Sequence, residues 1–274
     1  FGVGVAHGAR SRVGEERSAL TTVAYDDAWN GIDAFLALHE PRVAAMHAML
    51  SERGTLYVHL DARAVHETKV LCDRVCGRDA FRGEIVWVPG NGSRTTKSWG
   101  FSHQTILVYT RDARPTPSEP RWIFNADDPH LREPFAQGSL ALHFGNVDEE
   151  GRQYRERVIK TGAAEKRYRY YADDGRRLGT VWTDAPSMAA NTPRSKETTG
   201  YPHQKPRKLL DRIVAASSVL GSTVGDFFCG SGTTLEAAVA GGRDAIGCDA
   251  SALAIETTSK RLRAMGIDVT VTVT

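Results

Sequence analysis

The segment from Asp226 to Ser251 reads DFFCGSGTTLEAAVAGGRDAIGCDAS and contains residue types suited to holding a cofactor. Gly230 and Gly232 separate a strand-like run from a helix-like run, so the backbone there can pass close to a ligand and direct free N–H groups at it. Asp249 follows the next strand-like run, where doubly wound folds place the carboxylate that holds ribose hydroxyls. This order of elements predicts a binding site for an adenosine-containing cofactor.

Two other interpretations of the loop remain open. The dinucleotide fingerprint G-x-G-x-x-G needs a third glycine, and Leu235 occupies that position. The substitution disfavours NAD as the cofactor. A glycine turn that binds nothing is the remaining alternative.

The segments around the loop alternate strands and helices, which is typical of an α/β fold. Residues 32–52 repeat apolar residues at helical spacing, and Pro41 is expected to split or kink this helix. The run TLYVHLD at residues 55–61 is almost continuously apolar, which predicts a strand in the middle of a sheet. After Pro206 the pattern is helix, strand, glycine loop, helix, strand and helix. We therefore expect a Rossmann-like α/β sheet with helices on both faces.

The composition of the chain limits the classes of protein to which it can belong. The chain has 274 residues, a net charge of +2 and no run of about 18 to 20 apolar residues that could span a membrane. Its first residue is Phe1, and no signal-peptide pattern follows. The four cysteines form no CxxC pair, so we expect buried, reduced thiols and no metal site. A soluble cytoplasmic protein is predicted.

A basic stretch lies in the part of the chain with the least regular pattern. From residue 112 to about 191 no helical or strand period is sustained. Residues 151–179 contain nine Lys or Arg and only four Asp or Glu. Aromatic residues are interleaved with these cations, which suits contacts to nucleic-acid phosphates and bases. A solvated charged face is the alternative.

Two motifs together resemble those of the amino-group DNA methyltransferases. DFFCGSGTT is similar to their D-x-F-x-G-S-G-T-T motif, and YPHQKP at residues 201–206 is similar to the Y-P-x-Q-K-P segment that precedes it. The segments YDDAW, GTLYVHLD, FRGEIVWV, HQTILVYT and VWTDAP also resemble the family, so the similarity covers most of the chain. The resemblance implies S-adenosylmethionine as the cofactor. It also explains the late glycine loop, because the β-type members of the family place the cofactor half last.

That motif order implies three regions. Residues 1–112 would form the catalytic half of the methyltransferase domain, 113–190 an irregular target-recognition insertion, and 191–274 the cofactor-binding half. The resemblance implies cofactor contacts from Gln204, Lys205, Asp226, Phe228, Gly230, Ser231, Gly232, Thr233 and Asp249. For Lys205 a solvated position is the alternative, and for Phe228 it is core packing. The basic stretch implies DNA contacts from Arg152, Arg155, Lys166, Arg167, Arg169 and Arg176.

The chain departs from the family at the catalytic motif. The family has D-P-P-Y or D-P-P-F for adenine, or usually S-P-P-Y for cytosine N4, and none of these occurs in the chain. Such a motif accepts hydrogen bonds from the exocyclic amine, which raises electron density on its nitrogen. Its expected place falls on Phe1, which we interpret as its last residue, stacking on a flipped base. The acceptors would then be missing, and this chain by itself would be inactive.

We therefore predict a site-specific methyltransferase that acts on an exocyclic amino group of a flipped base in double-stranded DNA. A final Phe at Phe1, rather than Tyr, favours adenine N6 over cytosine N4. Neither Cys229 nor Cys248 follows a proline, so no covalent enzyme intermediate is expected. The alternatives are a cytosine-N4 enzyme, a non-catalytic module that binds S-adenosylmethionine or DNA, and an RNA or protein methyltransferase. A cognate restriction endonuclease is a candidate partner.

Overall fold

The computed structural model describes residues 10–13, 22–26, 30–90, 95–111, 122–162, 164–188 and 197–273. They divide into two units. Unit 1 comprises Phe1–Asn125 and Thr180–Thr274, and unit 2 comprises Ala126–Gly179. Phe1 itself lies outside the described residues.

Strands and helices are numbered along the whole chain. The helices of unit 1 are α1 (Ile32–Met49), α2 (Val65–Cys76), α4 (Arg207–Ser217), α5 (Thr233–Ala240) and α6 (Ala252–Ala264). Its strands are β1 (Arg10–Val13), β2 (Thr22–Asp26), β3 (Thr55–Leu60), β4 (Phe81–Trp87), β5 (Gln104–Thr110), β11 (Val181–Trp182), β12 (Thr223–Asp226) and β13 (Asp244–Gly247). Unit 2 contains α3 (Gln137–His143), β6 (Arg132–Glu133), β7 (Asn146–Val147), β8 (Gln153–Thr161), β9 (Ala164–Tyr171) and β10 (Arg176–Arg177).

A four-stranded sheet with the order β11–β4–β5–β3 lies between helices of unit 1. Strand β5 is antiparallel to β3 and β4, and β11 is parallel to β4. Alternate residues of the strands pack on opposite faces. Leu56 and Leu107 pack with α1 and α2 on one face, and Ile106 packs with Leu209 of α4 on the other. Helices on both faces of the sheet confirm the predicted α/β fold class.

A second, two-stranded sheet holds the glycine loop. Strands β12 and β13 are parallel and in register from Thr223 opposite Asp244 to Asp226 opposite Gly247. Helix α5 connects the two strands, so this is the predicted strand–helix–strand unit. Because parallel strands end at the same edge, the loops after β12 and β13 leave the sheet side by side.

In unit 1, the split that was one of two alternatives for Pro41 and the central position expected for TLYVHLD were both wrong. Helix α1 runs from Ile32 to Met49 with Pro41 inside it, so the proline does not split the helix. Strand β3 takes the outer position of its sheet rather than the middle. The run TLYVHL is apolar because helices cover it on both faces, and such burial does not require a strand on each side.

Unit 2 contains a regular hairpin where no regular structure was expected. Strands β8 and β9 pair from Tyr154 opposite Tyr171 to Thr161 opposite Ala164, and β7 extends this sheet. Most of the described hairpin side chains are exposed on both faces. The alternation that identifies a strand depends on one buried face, and here neither face is apolar enough to produce it.

Unit 2 is shorter than the insertion predicted at 113–190. Asn125 belongs to unit 1, since its backbone N–H donates to the carbonyl of Ala216 at 2.9 Å. Thr180 also belongs to unit 1, since its carbonyl accepts from the N–H of Val86 at 2.8 Å. The three regions predicted from motif order describe functional roles and stay a prediction. The two units of the structure are defined by packing alone.

The cysteines differ in one respect from the expectation. All four are free thiols, and Cys72, Cys76 and Cys229 are buried, whereas Cys248 is exposed at the end of β13. In the part of the chain that the structure describes, no helix has the length and apolar character needed to cross a membrane.

Candidate functional site

The loop between β12 and α5 has a backbone shape that requires glycine at position 232. Gly232 has a φ of +73°, and a β-carbon there would lie 2.6 Å from Thr258 Oγ1 on α6. Gly230 has a φ of +50°, but its β-carbon would meet the ring of Tyr201 at an ordinary 3.4 Å. The loop therefore packs directly against α6 and Tyr201, and its amides are held at the start of α5.

Asp249 holds this loop through hydrogen bonds to the backbone. Its Oδ2 accepts from the N–H of Gly230 at 2.9 Å, and its Oδ1 accepts from the N–H of Ser251 at 2.9 Å. Each oxygen keeps a second lone pair for a ligand. Asp226 ends β12, and its Oδ1 accepts from the N–H of Phe228 at 3.1 Å. The structure thus brings both predicted acids to the loop.

Arg261 on α6 also supports the loop, and the sequence did not indicate it. Its Nη1 donates to the carbonyl of Ser231 at 3.1 Å and to Thr233 Oγ1 at 3.0 Å. It also forms an ion pair with Glu236 of α5. Burial lowers the pKa of Arg261, and the charge of Glu236 opposes that shift. The hydroxyls of Ser231 and Thr233, 3.1 Å apart, are buried in this arrangement.

Gln204 holds its own segment in place. Its Oε1 accepts from the backbone N–H and the hydroxyl of Thr199 at 2.9 and 2.7 Å, and its Nε2 donates to the carbonyl of Glu197 at 2.7 Å. The amide is buried and well supplied with partners. Gln204 therefore shapes the segment that lies beside the glycine loop.

Lys205 has an unusual environment for a lysine. Burial lowers the pKa of its ammonium to about 8, and the nearby charge of Asp61 works in the opposite direction. Its Nζ donates to the carbonyl of His203 at 3.2 Å. A cation with this pKa is mostly charged at neutral pH, which suits it to an anionic ligand group.

Phe228 packs against α1. Its ring stacks on that of His39 with a centroid distance of 5.7 Å, and His39 stacks in turn on Phe35 at 3.9 Å. Burial lowers the pKa of His39, which favours the neutral imidazole. Phe228 also lines the cleft, so the same ring packs against α1 and can contact a ligand.

One open cleft of about 2300 Å³ contains these groups. Of the predicted cofactor residues, those on its wall are Gln204, Lys205, Asp226, Phe228, Gly230, Ser231, Thr233 and Asp249. Gly232 is not on the wall, which agrees with its packing against Thr258. The cleft continues along β3 and β12, with α1 and α4 beside it.

His59 is a further cleft residue, at the end of β3. It is 7% exposed, and its Nε2 has no hydrogen-bond partner among the described residues. The ring meets the edge of Trp87 with centroids 5.4 Å apart. Burial, followed by the charge of Lys205, lowers its pKa well below the usual value. His59 is thus a neutral imidazole with an unused nitrogen.

The chemistry of the cleft favours non-covalent binding. Burial raises the pKa of Cys229 to about 12, so its thiol stays protonated at neutral pH. Among residues 10–13, 22–26, 30–90, 95–111, 122–162, 164–188 and 197–273, no cluster of His, Cys, Asp and Glu could hold a metal ion.

The six predicted DNA-contacting cations of unit 2 differ in their partners. Arg152 pairs with Asp173 and Asp174 at 2.8 and 2.9 Å. Arg167, Arg169 and Arg176 each pair with a glutamate. Arg155 lies over the rings of Phe144 and Tyr170, and Lys166 forms no ion pair with a described residue.

Comparisons with known proteins place the chain in a family context. A family model for N6 and N4 methyltransferases, described as DNA methylase, matches residues 19–260. The type II methyltransferase M.EcaI of Enterobacter cloacae is 28% identical over 284 residues, covering 87% of this chain and 59% of that protein. The DNA adenine methyltransferase YhdJ of Escherichia coli strain K12 is 25% identical over 237 residues, covering 86% of this chain and 69% of that protein.

A solved structure has the same fold. The crystal structure of the M1.HpyAVI–SAM complex superposes with a TM-score of 0.52 at 18% sequence identity, covering 84% of each chain.

Proposed function

Because the chain belongs to the family of N6 and N4 DNA methyltransferases, we propose that it serves methyl transfer from S-adenosylmethionine to an exocyclic amino group of a base in double-stranded DNA. The observation that carries the proposal is the match of the family model over residues 19–260, together with a glycine loop held by Asp249 at the wall of the cleft. The transferred group and its acceptor follow from the family.

The residues of the cleft fit S-adenosylmethionine, the methyl donor of this family. Asp249 keeps lone pairs for ribose hydroxyls beside the loop, and Asp226 suits the ammonium of the methionine part. Lys205 provides a cation for the methionine carboxylate. The cleft wall contains these three groups and Phe228. When bound, the cofactor supplies an electrophilic methyl group on sulfur.

The chain's own residues prepare this site in two ways. Asp249 accepts from the N–H of Gly230 and Arg261 donates to the carbonyl of Ser231, so the loop is held in position before a ligand arrives. The protonated thiol of Cys229 offers no nucleophile, which supports direct transfer without a covalent enzyme intermediate.

Within the family we propose adenine N6 as the target. The DNA adenine methyltransferase YhdJ is 25% identical to this chain, and its name favours adenine. Cytosine N4 is the second candidate, since the family model covers both amines. A restriction–modification role, with an endonuclease of the same recognition sequence, is proposed from the type II name of M.EcaI.

A non-catalytic module that binds S-adenosylmethionine or DNA is the candidate from another class. The observation that favours it is the lack of a D-P-P-Y, D-P-P-F or S-P-P-Y motif in the 274 residues. For this chain by itself we therefore expect cofactor binding without methyl transfer.

Methyl transfer to duplex DNA tests the proposal. The protein expressed from its complete reading frame is incubated with methyl-labelled S-adenosylmethionine and mixed-sequence duplex DNA, and the nucleosides are separated by liquid chromatography and mass spectrometry. We expect label in N6-methyl-2′-deoxyadenosine. Label in N4-methyl-2′-deoxycytidine would overturn the adenine assignment, and cofactor binding without any labelled nucleoside would favour the module.

A further inference from the structure

The β8–β9 hairpin of unit 2 has two faces with different charge. Successive side chains of a strand point to opposite faces, so the pairing register decides which residues share a face. One face, between the pairs 155/170 and 159/166, contains no Asp or Glu. This acid-free face consists of Arg155, Arg157, Ile159, Lys166, Tyr168 and Tyr170.

The opposite face neutralises much of its own charge. Arg167 pairs with Glu156 at 3.1 Å and with Glu165 at 2.9 Å. Arg169 approaches Glu156 at 3.9 Å and lies over the ring of Tyr154 at 4.7 Å. A polyanion on this face would meet two carboxylates among the arginines, and like charges repel.

The cations of the acid-free face are available to a ligand. Arg157 and Lys166 are exposed and form no ion pair with a described residue of the chain. The guanidinium of Arg155 lies 5.3 Å from the ring centroid of Tyr170 and 5.5 Å from that of Phe144, so these rings hold its side chain in place. Tyr168 and Tyr170 are 42% and 38% exposed.

The combination of shape and chemistry matches double-stranded DNA. Lys, Arg and Tyr are among the side chains that hydrogen-bond to phosphate oxygens in protein–DNA complexes. A two-stranded antiparallel ribbon also fits the major groove of B-form DNA, whereas the major groove of A-form RNA is too narrow for side chains to read.

We propose that the acid-free face of the hairpin is the surface of unit 2 that contacts double-stranded DNA, with Arg157 and Lys166 on phosphates. Arg167 and Arg169, on the opposite face, make no phosphate contact. The proposal rests on the proposed function for the identity of DNA as the substrate, and it revises the residues expected to touch it.

Two double variants with the same change in net charge test the proposal. Arg157→Ala with Lys166→Ala removes two cations from the acid-free face, and Arg167→Ala with Arg169→Ala removes two from the opposite face. Duplex binding is measured by fluorescence anisotropy from about 50 to 200 mM salt. The first variant should raise Kd at least about tenfold and lower the slope of log K against log salt by about 1.8. The second should change Kd less than about threefold and leave the slope unchanged.

Other outcomes would overturn the assignment. Equal losses in both variants would mean that net charge acts without a preferred face, and a larger loss in the second would place DNA on the opposite face. Competition by duplex RNA as strong as by duplex DNA would contradict DNA as the occupant. Thermal unfolding and calorimetry with S-adenosylmethionine check that both variants remain folded.

The same experiment separates this inference from the proposed function. If the wild-type chain binds duplex DNA and neither variant weakens it, the face assignment fails and the proposed function stands. If the folded wild-type chain binds no DNA, both fail.

Discussion

Gly232 has a φ of +73°, and a β-carbon at this position would lie 2.6 Å from the hydroxyl oxygen of Thr258. A left-handed conformation costs an ordinary L-residue about 1–2 kcal/mol, and the overlap adds to that cost. We expect Gly232→Ala to raise the Kd of S-adenosylmethionine at least about tenfold and to lower the melting temperature. Calorimetric titration and thermal unfolding measure the two effects.

Gly230 supplies the matched control. It shares the left-handed backbone, with a φ of +50°, but a β-carbon there meets only the Tyr201 ring at 3.4 Å. Gly230→Ala should therefore cost less than Gly232→Ala in both measurements. Equal effects would contradict the importance of the contact between the loop and α6.

The pKa of Lys205 predicts how cofactor affinity depends on pH. Because burial lowers this pKa to about 8, the ammonium is charged below pH 8 and loses its proton above it. If it binds the methionine carboxylate, affinity for S-adenosylmethionine should fall by up to about tenfold between pH 7 and 9. Lys205→Met should bind more weakly at pH 7.

The cofactor has a titrating amine of its own, so the pH dependence is measured as a difference between variants. Lys205→Met should lack the part of the fall that is due to the lysine, and Lys208→Ala, which removes an exposed lysine of α4, should keep it. Identical profiles for wild type and Lys205→Met would show that Lys205 does not bind the carboxylate.

Residue types and spacing predicted where some residues of the candidate site lie and missed others for identifiable reasons. Asp226, Gly230 and Asp249 could be found because short-range order along the chain determines where they lie. Arg261 and His59 could not, because their roles depend on packing between elements far apart in sequence. Arg261 stands in a helix with other basic residues, and nothing in its neighbours distinguishes it.

A partly buried ion pair joins helix α4 to the segment that follows β11. Arg212 is 2% exposed and donates to both carboxylate oxygens of Asp184 at 2.9 and 2.8 Å. The guanidinium also lies 5.0 Å from the ring centroid of Trp182. Since α4 follows the segment of Gln204 and Lys205, this pair helps fix the position of that segment.

Asp184→Asn should destabilise unit 1 by about 3 kcal/mol, the low end of the range for a buried pair, because the carboxylate is 35% exposed. Urea unfolding at pH 7 measures the loss. The Asp184 carboxyl has its pKa held well below its usual range, first by Arg212, so its contribution is present above about pH 4 and is lost as pH falls further.

Lys208→Ala is the control for this prediction. Lys208 pairs with the same carboxylate at 2.7 Å but is 56% exposed, so its removal should cost less than about 1 kcal/mol. A cost equal to that of Asp184→Asn would contradict the dominant role of Arg212.

At the level of elements, burial decided which parts of the fold could be predicted. Strands β3 and β5 and helix α4 pack against a hydrophobic core, and the apolar residues that they bury form patterns visible in the sequence. The β8–β9 hairpin is exposed on both faces, so its sequence has no apolar period to detect. The distribution of charged residues between the two faces of the hairpin can be seen only when the strand register shows which residues share a face.

The whole molecule divides into a unit with the cleft beside the glycine loop and a unit with the basic hairpin. The hydrophobic clusters around the sheets consist of unit 1 residues only among those that the structure describes. Replacing residues 126–179 by a flexible linker of about twenty Gly and Ser residues should therefore leave unit 1 folded.

The linker variant makes two predictions at once. Its affinity for S-adenosylmethionine should stay within about twofold of wild type, and its affinity for duplex DNA should fall more than tenfold. Calorimetry and anisotropy measure the two. Loss of cofactor binding in a soluble, folded variant would contradict the division of roles between the units.

Calorimetric titration of the folded chain with S-adenosylmethionine tests the central claim most directly, because methyl donation presupposes this complex. We predict saturable binding at one site per chain, and its loss in Asp249→Ala, which removes the acceptor of the Gly230 N–H. A folded chain that binds no S-adenosylmethionine, or one that binds it equally well after Asp249→Ala, would contradict the account.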